Sequence, residues 1–288
     1  MNVLKDKVSV VTGGGRGIGR AIALALAAEG SKVLVNALSA GTASAETTAK
    51  EIAGHGGRAL PCYADVSNFQ EAGRLIQTAI DHFGKVDILV NNAGVTGWQM
   101  PWDMSEGDWD KVVDISLKGT FNCTRHAVPY MKEQKWGRII NCTSTSWIAR
   151  GGACHYAAAK AGIVGFTRAV AIDMAQYGVT CNAYAPYAKT DMSSPRTLQL
   201  IEQKYKLGRI DRKEYEWQMN PPGPEGVGSL VAYLASDQAS GVSGKVLYAS
   251  GGWISIFSEP EREKTLFKEK GIWSVQELTE NFPRLITK

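Results

Sequence analysis

Residues 7–29 constrain this chain more tightly than any other stretch. A short β-branched run, Lys7–Val11, ends at Thr12. The loop Gly13-Gly14-Gly15-Arg16-Gly17-Ile18-Gly19 follows, and an apolar, alanine-rich helix then runs to about Glu29. Strand, glycine loop and helix are the setting that a dinucleotide fingerprint requires. Gly13, Gly15, Gly17 and Gly19 let the backbone pass close to a pyrophosphate. The helix N-terminus beyond them offers N–H groups and the positive end of a dipole. An ordinary turn is the bland alternative, and the flanking strand and helix outweigh it. The spacing T-G-x-x-x-G-x-G departs from the G-x-G-x-x-G of most dinucleotide folds.

Strand and helix patterns keep alternating from here to about Gly252, which predicts one α/β domain built on a parallel sheet. The chain's 288 residues, 44% hydrophobic and 21% charged, are ample for a large core. A net charge of +4 with scattered basic residues gives no concentrated basic face, so nucleic acid is not an expected partner. The five cysteines, Cys62, Cys123, Cys142, Cys154 and Cys181, are odd in number, widely spaced and include no C-x-x-C. Neither a disulfide framework nor a zinc site fits them, and a reducing cytoplasm is expected. MNVLKDK has no signal-peptide character, and the apolar run Ala21–Ala28 is too short to span a bilayer, so no membrane association is expected.

The second strand, Lys32–Val35, ends at Asn36-Ala37-Leu38-Ser39. An acidic residue here would grip an adenosine ribose and exclude a 2′-phosphate, and none is present. Arg16, with Ser39 and Thr42 nearby, is suited to a phosphate instead, so NADP(H) is preferred over NAD(H). After the strand Ala59–Tyr63, Asp65-Val66 presents an acid that fits either a helix cap, a job Ser67 also fits, or an adenine amino group. The buried run Val86–Val90 ends in Asn91-Asn92-Ala93-Gly94, small residues that leave room for a flat ligand at a strand's C-terminal end. A capping box, Ser105-x-x-Asp108, opens a long helix to Lys132; its interior Gly119 predicts close packing of another element.

The stretch Asn141–Lys160 carries the chemistry. In a helix over Tyr156–Asp173, Tyr156 and Lys160 share one face, one turn apart. An ammonium held there favours the phenolate over the phenol, which suits proton transfer near neutral pH. Ser144 follows the strand Gly137–Cys142 and points at the same spot. Hydroxyl, phenol and ammonium together can polarise a carbonyl and deliver a proton to it. A lone Tyr-x-x-x-Lys pair is more often a solvated helix face; its neighbours overturn that reading. The sixth strand, Val179–Ala183, leads to Pro186-Tyr187-Ala188-Lys189-Thr190. Residues 193–224 then read as a polar helical insertion, a natural lid over a ligand. Trp98, within a loop suited equally to a pocket or to surface packing, joins Ser146, Trp147 and Tyr187 as candidate substrate contacts. Residues 253–288 form an extension too rich in apolar residues to float free, expected to pack on its own domain or a neighbouring subunit.

Thr12-Gly13-x-x-x-Gly17-x-Gly19, Asp65-Val66, Asn91-Asn92-Ala93-Gly94, Ser144, Tyr156-x-x-x-Lys160 and the Pro186–Thr190 loop occur in the order and at the spacing of short-chain dehydrogenases/reductases. The resemblance covers about residues 5–252. The runs LKGTFNCTRHAVPYM, YAAAKAGI and APYAKTDM are most similar to a bacterial branch near the (3R)-hydroxyacyl-CoA dehydrogenase part of peroxisomal multifunctional enzymes. The family implies a Rossmann-type, doubly wound, seven-stranded parallel sheet ordered 3-2-1-4-5-6-7, and a homotetramer or homodimer formed through the two long helices. It implies catalysis by Ser144, Tyr156 and Lys160, with Ser116 at the relay position. Cofactor contacts would come from Gly13, Gly15, Arg16, Gly17, Ile18, Gly19, Asn36, Ala37, Leu38, Asp65, Val66, Asn92, Ala93, Gly94, Tyr156, Lys160, Pro186, Ala188 and Thr190.

Three positions depart from the family pattern. Ser116 replaces the usual mid-helix asparagine, Ser144 and Tyr156 are one residue closer than is commonest, and Tyr187 stands where a glycine usually follows Pro186. The closer spacing implies an active-site loop reshaped around Gly151-Gly152. The expected function is NAD(P)(H)-dependent interconversion of a secondary alcohol and a ketone, the substrate apolar, cyclic or an acyl thioester. The alternatives are a 3-oxoacyl thioester reductase and a catalytically weak nucleotide-binding subunit or regulator of a hetero-oligomer.

Overall fold

The computed structural model describes residues 2–39, 44–148, 153–189, 195–208 and 210–286. Apolar runs such as VSVV and ILVN cannot alternate between core and water, so their strands need cover on both faces. The elements run β1 (Val8–Val11), α1 (Gly17–Ala28), β2 (Lys32–Ala37), α2 (Ser44–Gly54), β3 (Arg58–Tyr63), α3 (Phe69–Phe83) and β4 (Ile88–Asn91). They continue with α4 (Glu106–Val113), a π-helical turn at Asp114–Lys118, α5 (Gly119–Gln134), β5 (Gly137–Cys142), α6 (Cys154–Met174) and β6 (Val179–Pro186). The last of this unit are α7 (Pro195–Lys206), α8 (Arg212–Met219), α9 (Glu225–Leu234), β7 (Val246–Ser250) and β8 (Trp253–Ile256).

The sheet order is β3-β2-β1-β4-β5-β6-β7-β8. The first seven strands are parallel in the expected order, a Rossmann-type doubly wound sheet. The eighth was not anticipated: β8 turns back antiparallel on β7, with Ser250 opposite Trp253. Gly251, at φ +54°, and Gly252 make the two-residue hairpin. Side chains divide by strand parity. Val11, Val33, Val35, Ile88 and Val90 meet α1, α2 and α9 on one face. Val8, Val10, Leu34, Leu89 and Ile139 meet α3, α5 and α6 on the other. β1 lies between β2 and β4, so the winding reverses there and opens a crevice beyond the carboxyl ends of β1 and β4.

The long helix expected from Ser105 is interrupted. Its capping box is present, but the turn at Asp114–Lys118 widens to π geometry and places Ser116 wholly inside the protein. Gly119 follows, and a Cβ there would come within 2.8 Å of Val66 Cγ2, which is the close packing its position foretold. The cap of α3 is Asn68, whose side chain accepts from the Glu71 N–H, rather than Asp65 or Ser67.

Residues Phe257–Lys288 form a separate compact unit. It holds α10 (Val275–Asn281), opened by a Ser274–Glu277 capping box, and α11 (Pro283–Ile286). Lys268 Nζ donates to both Glu277 carboxylate oxygens at 2.7 Å, and that bond, with those from Ser274, holds the Glu277 carboxyl down at about 2.

Gly228 of α9 faces α1 so closely that a Cβ would stand 2.8 Å from the Ala21 carbonyl oxygen. In an open helix, Gly→Ala adds about 1 kcal/mol of stability. Here the obstacle is backbone, which no rotamer change relieves, and overpacking of about 1–3 kcal/mol outweighs the propensity gain. Gly228→Ala is therefore expected to lower the melting temperature by several degrees. Thermal denaturation checks this, and an unchanged or raised Tm would contradict the packing.

Candidate active site

Two asparagine side chains shape the glycine loop. From the end of β2, Asn36 accepts the Gly13 N–H at its Oδ1 (3.3 Å) and the Gly14 N–H at its carbonyl (2.8 Å). Beyond β4, Asn92 Nδ2 donates to the Thr12 and Gly13 carbonyls at 3.0 and 3.2 Å. Thr12 Oγ1 completes the junction by accepting the Asn92 and Ala93 N–H groups. Both peptide planes of Thr12–Gly14 are thus satisfied within the protein. What remains for a ligand is the first turn of α1 at Gly17, Ile18 and Gly19, whose N–H groups have no intrahelical partner. No acid lies in that turn to offset its dipole. Gly13 has φ +60°, and a Cβ at Gly19 would collide with the Gly13 oxygen and Asn92 Nδ2. This cradle fits a dinucleotide pyrophosphate.

Gly15 is buried and its carbonyl accepts from Thr48 Oγ1 at 3.2 Å. At the β2 end, Ala37 is buried while Leu38 and Arg16 are exposed. Asp65 turns Oδ1 onto the Ser67 N–H and hydroxyl (2.9 and 2.7 Å), and Val66 packs under Gly119. Pro186 ends β6; beyond it Ala188 leads to Lys189, whose N–H donates to the Pro222 carbonyl at 2.8 Å. Thr42, Gly151, Gly152 and Thr190 lie outside the described residues.

Tyr156 and Lys160 lie on α6 next to the end of β5. Lys160 is 3% exposed, with Nζ donating to the Cys142 carbonyl at 2.7 Å and lying 5.5 Å from the centroid of the half-buried Tyr156 ring. Thr143, which the sequence reading did not single out, fixes the lysine's backbone: its Oγ1 donates to the Lys160 carbonyl at 2.8 Å. Gly94 stands between Lys160 and Ser116. A Cβ there would lie 3.6 Å from Lys160 Nζ and 3.3 Å from Ser116 Oγ, which has no hydrogen-bond partner among the described residues. Ser144, in extended conformation, caps the short turn Thr145–Trp147 by accepting the Ser146 N–H at 3.2 Å; its hydroxyl lies 3.2 Å from that of buried Ser146. Ala153, where α6 begins, makes a parallel bridge with Gln99, so the loop bearing Trp98 lies beside the helix that carries Tyr156. Trp147 is half-buried.

Over β7 and β8 sits an aromatic cluster centred on Trp217 of α8, a residue sequence reasoning passed over. Its ring stacks on Trp253 (5.4 Å, 12°) and meets Tyr187 at 4.9 Å and Tyr248 at 6.3 Å. Tyr187 Oη also donates to the Gln218 carbonyl at 2.6 Å. Burial raises Tyr187 and pushes Tyr248 up to about 12, so both remain phenols throughout the neutral range. Tyr187 thus fastens α8 to the loop after β6.

Residues 7–200 match the family model for short chain dehydrogenases, and the chain belongs to that family. It is an oxidoreductase acting on a CH–OH group with NAD(P). The chain is 40% identical to a 3-oxoacyl-[acyl-carrier-protein] reductase of Synechocystis sp., over 88% of its own length and 99% of that protein's. It is 36% identical to the (2S)-[(R)-hydroxy(phenyl)methyl]succinyl-CoA dehydrogenase subunit BbsD of Thauera aromatica, over 86% of this chain and 97% of that one. Among solved structures, a short chain dehydrogenase from Mycobacterium avium superposes with a TM-score of 0.84 at 35% identity, covering 99% of this chain and 96% of its own.

Trp217→Ala removes the stack that holds α8 while leaving the sheet untouched. Limited proteolysis is expected to cut within residues 207–224 markedly faster, with a melting temperature near that of the parent. Unchanged cleavage would show that the cluster does not hold α8.

Proposed function

We propose that the protein interconverts a ketone and a secondary alcohol with NADP(H) in preference to NAD(H), that Tyr156 is its acid/base, and that its substrate is a 3-oxoacyl or 3-hydroxyacyl thioester. The observation that carries this reading is the placement of Lys160, a buried ammonium anchored on the Cys142 carbonyl one helical turn from a half-buried phenol. A charge taken out of water acts on its neighbour far more strongly than one at the surface.

When bound, the nicotinamide cofactor gives or takes the hydride. The first turn of α1 would hold its pyrophosphate, and Asn92, Ala93, Gly94 and the loop after Pro186 would hold the nicotinamide end. In the reducing direction Tyr156 passes its phenolic proton to the substrate oxygen, while the Ser144 hydroxyl hydrogen-bonds that oxygen and orients it. Lys160 stabilises the resulting phenolate and would hold the nicotinamide ribose. Ser116, close to Gly94, is read as the relay by which that proton is replaced.

The thioester class is supported by two relatives that span nearly the whole family domain, one named for an acyl-carrier-protein thioester and the other for a coenzyme A thioester. The likeness to (3R)-hydroxyacyl-CoA dehydrogenases belongs to the same chemistry. Trp98, Ser146, Trp147 and Tyr187 border the substrate side. For the cofactor, the β2 end Asn36–Ser39 carries no carboxylate to repel a 2′-phosphate, and Arg16 is exposed in the adjoining loop. Self-association to a homotetramer or homodimer is supported by Phe121 and Ile172, exposed on α5 and α6. A cytoplasmic setting is supported by free cysteines at all five positions; among the described residues no helix is long and apolar enough to cross a membrane. Residues 1–252 are read as the catalytic domain, 193–224 as its lid and 253–288 as an extension.

A second reading, a weakly catalytic subunit of a hetero-oligomer, is favoured by Ser116 at the usual asparagine position and by the word subunit in the Thauera relative's name. Turnover by the purified chain alone, with the mass of its assembly, separates the two.

Wild-type protein is expected to consume NADPH with 3-oxoacyl thioesters, and Tyr156→Phe to lose about 10²-fold or more of that rate while binding NADPH as before. Near-normal turnover in the variant would remove Tyr156 from the chemistry. Because a serine holds a relay less firmly than an asparagine, Ser116→Asn is expected to leave turnover equal or higher; a large loss would give Ser116 a role of its own.

A further inference from the structure

The Asn92 side chain is held by a third party, and that residue has no place in the chemistry above. Tyr184 lies toward the carboxyl end of β6, fully buried. Its hydroxyl donates to Asn92 Oδ1 at 3.0 Å. Burial raises this phenol well above its ordinary range, so it keeps its proton at any working pH. The carbonyls of Thr12 and Gly13 only accept, so they require the NH2 end of the Asn92 amide. That leaves Oδ1 facing inward, where an unmet acceptor is costly.

We propose that Tyr184 is a positioning residue whose hydroxyl fixes the orientation of the Asn92 amide and, through it, the shape of the cofactor's glycine loop. The chain of contacts runs from Tyr184 Oη to Asn92 Oδ1, then from Asn92 Nδ2 to the Thr12 and Gly13 carbonyls. On the far side of the same peptides Asn36 takes the Gly13 and Gly14 N–H groups. Only with Asn92 turned this way are both sides of the loop held, so that the first turn of α1 faces the ligand. The tyrosine is wholly buried and reaches the glycine loop through Asn92. Its use in cofactor binding rests on the oxidoreductase reading above, whereas its hold on the loop does not.

Tyr184→Phe removes the hydroxyl and keeps the ring. Amide hydrogen exchange in the ligand-free protein is expected to rise about tenfold at Gly13 and Gly14 while the rest of the sheet stays protected. The dissociation constants of NADH and NADPH should rise together, by about tenfold. Asn92→Asp keeps an acceptor toward Tyr184 but sets an oxygen against two carbonyls, so it should loosen the same amides at least as much. In an Asn92→Ala background, Tyr184→Phe should change nothing further.

Unchanged exchange at Gly13 and Gly14, effects that add in the double variant, or a Tyr184→Phe protein that has lost its fold would each overturn the proposal. Faster exchange in a protein whose wild type binds neither dinucleotide would uphold the clamp and sink the oxidoreductase reading instead.

Discussion

The structure depends on how four backbone polar groups between Thr12 and Gly14 are satisfied. A loop this rich in glycine has many conformations and gains little from burial, so nothing in its own composition fixes its shape. Asn36 and Asn92, each at the end of a strand flanking β1, supply that shape by bonding the loop's N–H groups from one side and its carbonyls from the other. The loop then becomes rigid enough to aim the start of α1. A helix N-terminus attracts anions only within its first turn, so its direction decides whether the charge is useful.

The same logic recurs where β5 meets α6. Lys160 is long, flexible and costly to bury. It is held at both ends, by Thr143 at its backbone and by the Cys142 carbonyl at its ammonium, and both partners come from the end of β5. The neighbouring strands are tied by Asn91 bonding to Asn141 at 2.8 Å and Asn141 to Thr167 at 3.0 Å. These side-chain bonds bind β4, β5 and α6 into one block, so the lysine and the glycine loop share a common frame. Placing polar anchors at the carboxyl ends of the central strands lets the rest of each strand stay apolar and buried.

Much of this was legible in the residues. The seven parallel strands follow from a regular alternation of apolar runs with helical periodicity, and their buried character follows from runs such as VSVV that have no polar face. Gly119 announced a close approach, and Val66 is what approaches. The π turn around Ser116 was hidden, because a helix one residue wider keeps nearly the same hydrophobic pattern. β8 was hidden for a different reason: its residues are all exposed, so the usual alternation is missing, and only the Gly251-Gly252 pair marks the hairpin. Tyr184 left a faint mark as the lone hydroxyl within the run Ala183–Pro186, while nothing in the polar pattern around Trp217 singles that residue out.

What the sequence determined by itself is local: the glycine loop between a strand and a helix, the Tyr156–Lys160 spacing that puts both side chains on one helix face, and the capping box at Ser105. Spacing of a few residues is enough to fix such relations, since they are set by helix and turn geometry. Only the tertiary structure decided which carbonyl receives Lys160 Nζ, which amide clamps the glycine loop and which phenol orients that amide. Those partners lie 18 to 92 residues apart along the chain. Contacts over such separations depend on strand order and packing, and no local pattern records them.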